Sequence, residues 1–202
     1  MGKLFVISAP SGAGKTSLVR ALLQRRANLV VSVSHTTRRP RAHEIDGRDY
    51  HFVTAERFEA LVAEGAFLEH ARVFDNFYGT GAREVGARLA AGNDVVLEID
   101  WQGAAQVRAA MPACVSIFIL PPSRASLEQR LRERRTDTEE IIQRRLRDAV
   151  GDMGHYREFD YVVVNDHFEH AVKELEQILD GKGQALRADR PALIPLMQQL
   201  LH

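Results

Sequence analysis

The chain has 202 residues, 45% hydrophobic and 27% charged, with 27 Lys and Arg balancing 27 Asp and Glu. Length and composition suit one substantial core and exclude a disordered or fibrous chain. Zero net charge gives no broad basic field for nucleic acid, and no apolar run approaches the ~20 residues of a membrane span, so neither partner is expected.

The first predicted element is a strand, "KLFVIS", an apolar run rich in strand formers. The start lacks a charged region and small-residue cleavage site, so no secretory leader and a cytoplasmic location are expected. Next comes "APSGAGKT": Ala9, Pro10, Ser11, Gly12, Ala13, Gly14, Lys15 and Thr16. This is the phosphate-cradling pattern G-x-x-x-x-G-K-[ST] with Ala9 at the first glycine position. Glycines let the loop curl until backbone N–H groups face phosphate oxygens; the lysine reaches the outer phosphates and the hydroxyl takes a magnesium ion. The helix "SLVRALLQRR" follows, with Leu18, Leu22 and Leu23 on one stripe. The bland alternative is a Gly-Ser turn between strand and helix, which the Gly14-Lys15-Thr16 helix opening disfavours.

Further strands are predicted at "NLVVSVS", "DVVLEID", "VSIFIL" and "YVVVN", with helical periodicity between most of them. That alternation predicts an α/β fold, a parallel sheet flanked by helices. Residues 34–81 break it with "GRDYHFV", a short helix near "TAERFEALVAEG", then "FLEHARVF" and "NFYGTG", and read as an inserted subdomain. In "LEID", Glu98 and Asp100 stand two apart and are expected on one strand face. The lone cysteine, Cys114, reads as a buried thiol in a reducing compartment. Pro121 and Pro122 end a strand, and two Arg-rich helices are predicted from about Ser123 to Val150. Arginines cluster at Arg38, Arg39 and Arg41 and again at Arg130, Arg132, Arg134, Arg135, Arg144, Arg145 and Arg147. The guanidinium fork suits phosphate, although most of the second cluster also reads as a solvated helix face. His167 and His170 lack further ligands at zinc spacing. The tail places Leu193, Met197, Leu200 and Leu201 at helical spacing, with Pro191 early in the helix; packing on its own core and a subunit interface both account for it.

Seven segments in order, "SAPSGAGKT", "SVSHTTRRPR", "GRDYHFV", "FLEHARVFDNFYGT", "LEIDWQGA", "RLRERRTDTEEIIQRRL" and "VVVND", resemble guanylate kinase over nearly the whole chain to about Asp180. The resemblance implies a single domain: a P-loop core (residues 1–33, 82–122 and 156–182), a GMP-binding insertion (34–81), a helical lid (123–155) and a C-terminal helical extension (183–202). It implies an ATP-dependent enzyme that phosphorylates GMP to GDP by direct in-line transfer, with Mg2+ as cofactor. A homo-oligomer stays open, because some bacterial guanylate kinases carry a comparable extension.

The same resemblance assigns Arg38, Arg41, Tyr50 and Tyr78 to the GMP phosphate, and Ser34, Glu69 and Thr80 to its base. Guanine presents N1–H and a 2-amino group side by side, which one carboxylate can accept together, while a hydroxyl donates to O6. It gives Asp100 to the acceptor nucleotide and Glu98 to the magnesium surroundings, where Asp is the commoner residue. Lys15, Arg41, Arg134 and Arg145 are implied on the transferring phosphoryl group, and Asn165 and Asp166 on the adenine side. Arg135 replaces a glycine frequent in the family's lid. Two rivals remain: a ribose-phosphate kinase, which needs no guanine-reading set, and a non-catalytic scaffold module, which tends to lose the Lys15–Thr16 chemistry.

Overall fold

The computed structural model describes residues 1–73, 75–133 and 138–201. Strand β1 (Leu4–Ser8) is buried along its length, and helix α1 (Lys15–Arg25) starts where the glycine loop ends. Three short strands follow, β2 (Leu29–Val31), β3 (His35–Thr36) and β4 (His51–Phe52), then helix α2 (Ala55–Ala63). Strands β5 (Phe67–Val73) and β6 (Asn76–Gly81) precede helix α3 (Ala82–Ala90), strand β7 (Asp94–Glu98) and helix α4 (Trp101–Ala110). The rest comprises β8 (Val115–Leu120), α5 (Arg124–Glu133), α6 (Glu139–Met153), β9 (Tyr161–Val164), α7 (Phe168–Leu179) and α8 (Ile194–Leu201). Short 3-10 turns occupy Gly154–Glu158, Gln184–Leu186 and Pro191–Leu193.

Five strands form one sheet in the order β2-β7-β1-β8-β9, with β2 parallel to β7 and β8 parallel to β9. This is the α/β fold with a parallel central sheet that the alternation of apolar runs and helices predicts. A second sheet has the order β4-β3-β6-β5, in which β6 runs antiparallel to both neighbours. The chain divides into two compact units, one of Met1–Val6 with Ala27–Val115, the other of Ile7–Arg26 with Ser116–His202.

In the first unit, α2 buries Phe58 against Phe67 and Phe77, with ring centroids 4.8 and 5.5 Å away. Thr54 fixes where α2 begins, because its hydroxyl accepts the Arg57 N–H and satisfies one orphan donor of the first turn. In the second, Leu127 and Leu131 of α5 pack with Ile142 and Ala149 of α6. Arg25 and Arg26 at the end of α1 pair with Glu169 of α7 and with Asp180. Leu193, Met197 and Leu200 are buried within this same unit, and the Leu200 carbonyl accepts from Arg124. Three of the four stripe residues of the tail thus pack within this unit, while Leu201 is half-buried. Among the described residues no helix is long and apolar enough to cross a membrane.

One sequence expectation fails in detail. Strand β7 stops at Glu98, and Asp100 is the N-cap of α4, its carboxylate accepting the Gly103 N–H at 2.8 Å. The two-residue alternation of a strand therefore does not carry through to Asp100; a short acceptor side chain ahead of a helix caps it instead.

Candidate active site

The glycine loop lies in the second unit. Gly12 and Gly14 have φ of 90° and 97°, left-handed values that a Cβ would strain. Gly14, which has no side chain, closes the loop as N-cap of α1, and the positive pole of a helix at such an end suits an anion. Lys15 and Thr16 are the first two residues of α1, the lysine half-buried and the threonine exposed. Behind the loop the buried Ala13 offers its carbonyl to Asn165 Nδ2 at 2.8 Å and to Arg130 at 3.3 Å. Arg130 also donates to the Asn165 carbonyl at 2.8 Å, and the Asn165 N–H bonds Leu120. A Cβ on Gly14 would overlap Asn165 Nδ2, and one on Gly12 would press on Leu127 and Leu131 of α5 at 3.1 Å. The side-chain amide of Asn165 therefore holds the glycine loop from behind. Asp166 is exposed, 3.7 Å from His167 Nε2. Arg145 is half-buried on α6, whereas Arg134 and Arg135 lie outside the described residues.

The first unit holds the other group. Strand register sets Glu69 on β5 opposite Thr80 on β6. The Thr80 hydroxyl donates to Glu69 Oε1 at 2.5 Å and lies 3.3 Å from Ser34 Oγ. Glu69 is 3% exposed and Thr80 fully buried. A buried carboxylate is costly unless it is hydrogen-bonded, and the Thr80 hydroxyl supplies one such bond to Glu69.

Beside it, Arg38 packs over the Tyr50 ring at 5.4 Å, and Tyr50 meets Tyr78 edge-on at 6.0 Å. Arg38 forms a two-pronged pair with Glu44, at 2.8 and 3.0 Å, and Glu44 also accepts the Arg41 N–H at 2.7 Å. Burial works against the Arg38 charge, but Glu44 and Tyr78 outweigh it and raise the guanidinium pKa. Burial, reinforced by the Glu98 charge, pushes the Tyr50 phenol up to about 12. Tyr50 is therefore an O–H donor at neutral pH, as an anion site requires.

Ser34, Glu69 and Thr80 come together, as do Arg38, Tyr50 and Tyr78. Arg41 joins through its backbone, and Asp100 through Gly103. Three residues at these sites escaped the sequence reading, and Arg130 was read only as a member of an arginine cluster. Glu44 is hidden in an ordinary charged stretch. Gly103 and Gln106 are set on α4 by contacts with a strand more than thirty residues away, which no local signal reveals.

A loop with left-handed glycines opening a helix after a buried strand, on a parallel sheet, is the architecture of the P-loop nucleotide-binding proteins. The guanylate kinase family model matches residues 1–182. Guanylate kinases of Methylococcus capsulatus and Alkalilimnicola ehrlichii are 56% and 54% identical over 200 residues, covering 99% of this chain and 98% of each relative. The crystal structure of guanylate kinase from Anaplasma phagocytophilum is similar with a TM-score of 0.75 at 35% identity, covering 98% of this chain and 94% of that one. The chain belongs to the guanylate kinase family and is a phosphotransferase.

Proposed function

We propose that the chain converts ATP and GMP into ADP and GDP by direct in-line phosphoryl transfer. The observation that carries this reading is the buried Ser34–Thr80–Glu69 chain of hydrogen bonds, which sets a carboxylate and a hydroxyl side by side, the polar pair that a base with two adjacent donors and a carbonyl calls for. Guanine supplies N1–H and the 2-amino group to Glu69, and Ser34 donates to O6. Adenine has an acceptor at N1 and no 2-amino group, so it leaves the carboxylate unpaired, the strongest kind of rejection a polar site can make. Arg38, Arg41, Tyr50 and Tyr78 take the acceptor phosphate, with Asp100 beside the acceptor nucleotide. The loop from Ala9 to Thr16 holds the donor phosphates, with Asn165 and Asp166 toward adenine. Transfer requires alignment and charge neutralisation more than covalent chemistry, which is the task of Lys15, Arg41, Arg134 and Arg145.

Mg2+ belongs to this reading: Thr16 would offer it a hydroxyl and Glu98 a carboxylate acting through water. A hard ion that retains waters and phosphate oxygens suits such sparse protein ligation, and it would supply charge neutralisation at the β- and γ-phosphates. A cytoplasmic location is part of this reading, and the thiol of Cys114 is buried. Self-association through the tail requires a surface other than its buried stripe.

ADP release with ATP and a panel of GMP, inosine monophosphate, AMP, UMP and ribose phosphates tests the reading. GMP should be the preferred acceptor, and Glu69→Gln should reduce kcat/KM for GMP more than for inosine monophosphate, which has no 2-amino group. AMP used as well as GMP would overturn the guanine assignment.

A further inference from the structure

Glu69 sits on β5, an outer strand of the four-stranded sheet, and α4 packs against that strand. Two residues of α4, one turn apart, face it. Gln106 binds the backbone of His70 with both ends of its amide: Oε1 accepts the His70 N–H at 3.1 Å and Nε2 donates to the His70 carbonyl at 2.8 Å. It thereby stands in for the missing strand neighbour immediately after Glu69, and it fixes how closely α4 approaches β5. At that approach the buried Gly103 lies against the Glu69 carboxylate. A Cβ at position 103 would fall within the contact radius of Glu69 Oε2, 3.0 Å from its Cδ and 3.3 Å from Asp100 Oδ1.

A glycine near the start of a helix, where no positive φ calls for it, costs helix stability relative to alanine. Its use here follows from the space it leaves. We infer that Gly103 and Gln106 are positioning residues for base selection: Gln106 sets the spacing between α4 and β5, and the missing side chain at 103 is the seat of the carboxylate that reads guanine. This rests on the assignment of Glu69 to the base. The other oxygen of Glu69 is held by Thr80, so turning the carboxylate away from a side chain at 103 works against that bond.

The test is a double-mutant cycle read on two acceptors. Gly103→Ala should lower kcat/KM for GMP by about 10- to 100-fold and by less for inosine monophosphate, which keeps N1–H but lacks the 2-amino group, while the strain against Glu69 opposes the gain of a better helix former in Tm. In a Glu69→Ala background the carboxylate is gone, and Gly103→Ala should then have no further effect on either acceptor. Gln106→Leu, which lacks both bonds to His70, should lower the GMP-to-inosine-monophosphate preference in the same direction. Equal losses on both acceptors, or full additivity with Glu69→Ala, would overturn the inference while leaving the role of Glu69 intact. If Glu69→Gln itself leaves the preference unchanged, the base assignment fails instead. Should Gly103→Ala alone fail to fold, its tolerance in the Glu69→Ala background, read by circular dichroism, still decides: folding only there supports the shared seat, and misfolding in both overturns it.

Discussion

Glu44 illustrates how one side chain can organise a site that it does not directly form. Its carboxylate is 8% exposed and binds the Arg38 fork at two points while taking the Arg41 N–H. Burial tends to raise its pKa, but the bonds from Arg38 and from the Arg41 backbone prevail and hold it below the ordinary 4.5. A carboxyl whose folded pKa is depressed stabilises the fold above its unfolded value and loses that contribution as pH falls through the folded one. Glu44→Gln should therefore reduce stability at pH 7 by about 1–3 kcal/mol, the scale of a broken charge-assisted bond in a largely buried setting. In urea titrations the gap between the two proteins should narrow as pH drops below 4.5. A gap constant down to pH 4 would mean that the lost interaction is not ionic. Lys15→Met should act differently at this same scale, abolishing turnover with little change in Tm, because its charge is assigned to the β- and γ-phosphates.

At the level of elements, the phosphate loop is a three-part assembly: the loop itself, Arg130 from α5 and Asn165 from the end of β9. Ala13 is the shared point, its carbonyl accepting from both side chains. Asn165→Ala should leave that carbonyl with one long bond and loosen the cradle, lowering kcat/KM for ATP by about 10-fold or more with a stability loss of about 1–2 kcal/mol. Unchanged ATP kinetics at a lowered Tm would make Asn165 structural only. Elements differ in how far the sequence revealed them. The strand, loop and helix around "APSGAGKT" were legible because each part carries its own local signal: an apolar run, glycines, a periodic stripe. The two-residue strands β3 and β4 have no such signal; they exist through pairing with each other and of β3 with β6. Asp100 was misjudged geometrically because strand alternation and helix capping compete there, and the cap prevails. The grouping of Ser34, Glu69 and Thr80 was recognisable only by resemblance, since the register that joins Glu69 to Thr80 depends on the whole hairpin and its bulge between Phe67 and Glu69.

Across the whole molecule, the residues assigned to GMP, Ser34 through Asp100, all lie in one compact unit, and the phosphate loop with Asn165 lies in the other. Each unit holds its own polar scaffold: Glu44 and Gln106 in the first, Arg130 and Asn165 in the second. Binding of either nucleotide alone should therefore stabilise and protect mainly its own unit. A ligand that binds only the folded state adds RT ln(1 + [L]/Kd), about 2.7 kcal/mol at a concentration of 100 Kd. Hydrogen exchange should detect where that stabilisation falls. GMP should slow exchange in residues 34–81 and at the start of α4, while a non-hydrolysable ATP analogue should slow it in the loop, α1 and the residues around Asn165. Glu69→Gln should diminish only the GMP pattern, and Lys15→Met only the ATP pattern. Protection by GMP concentrated on the loop and α1 would contradict the division of labour, because no residue assigned to the acceptor lies there.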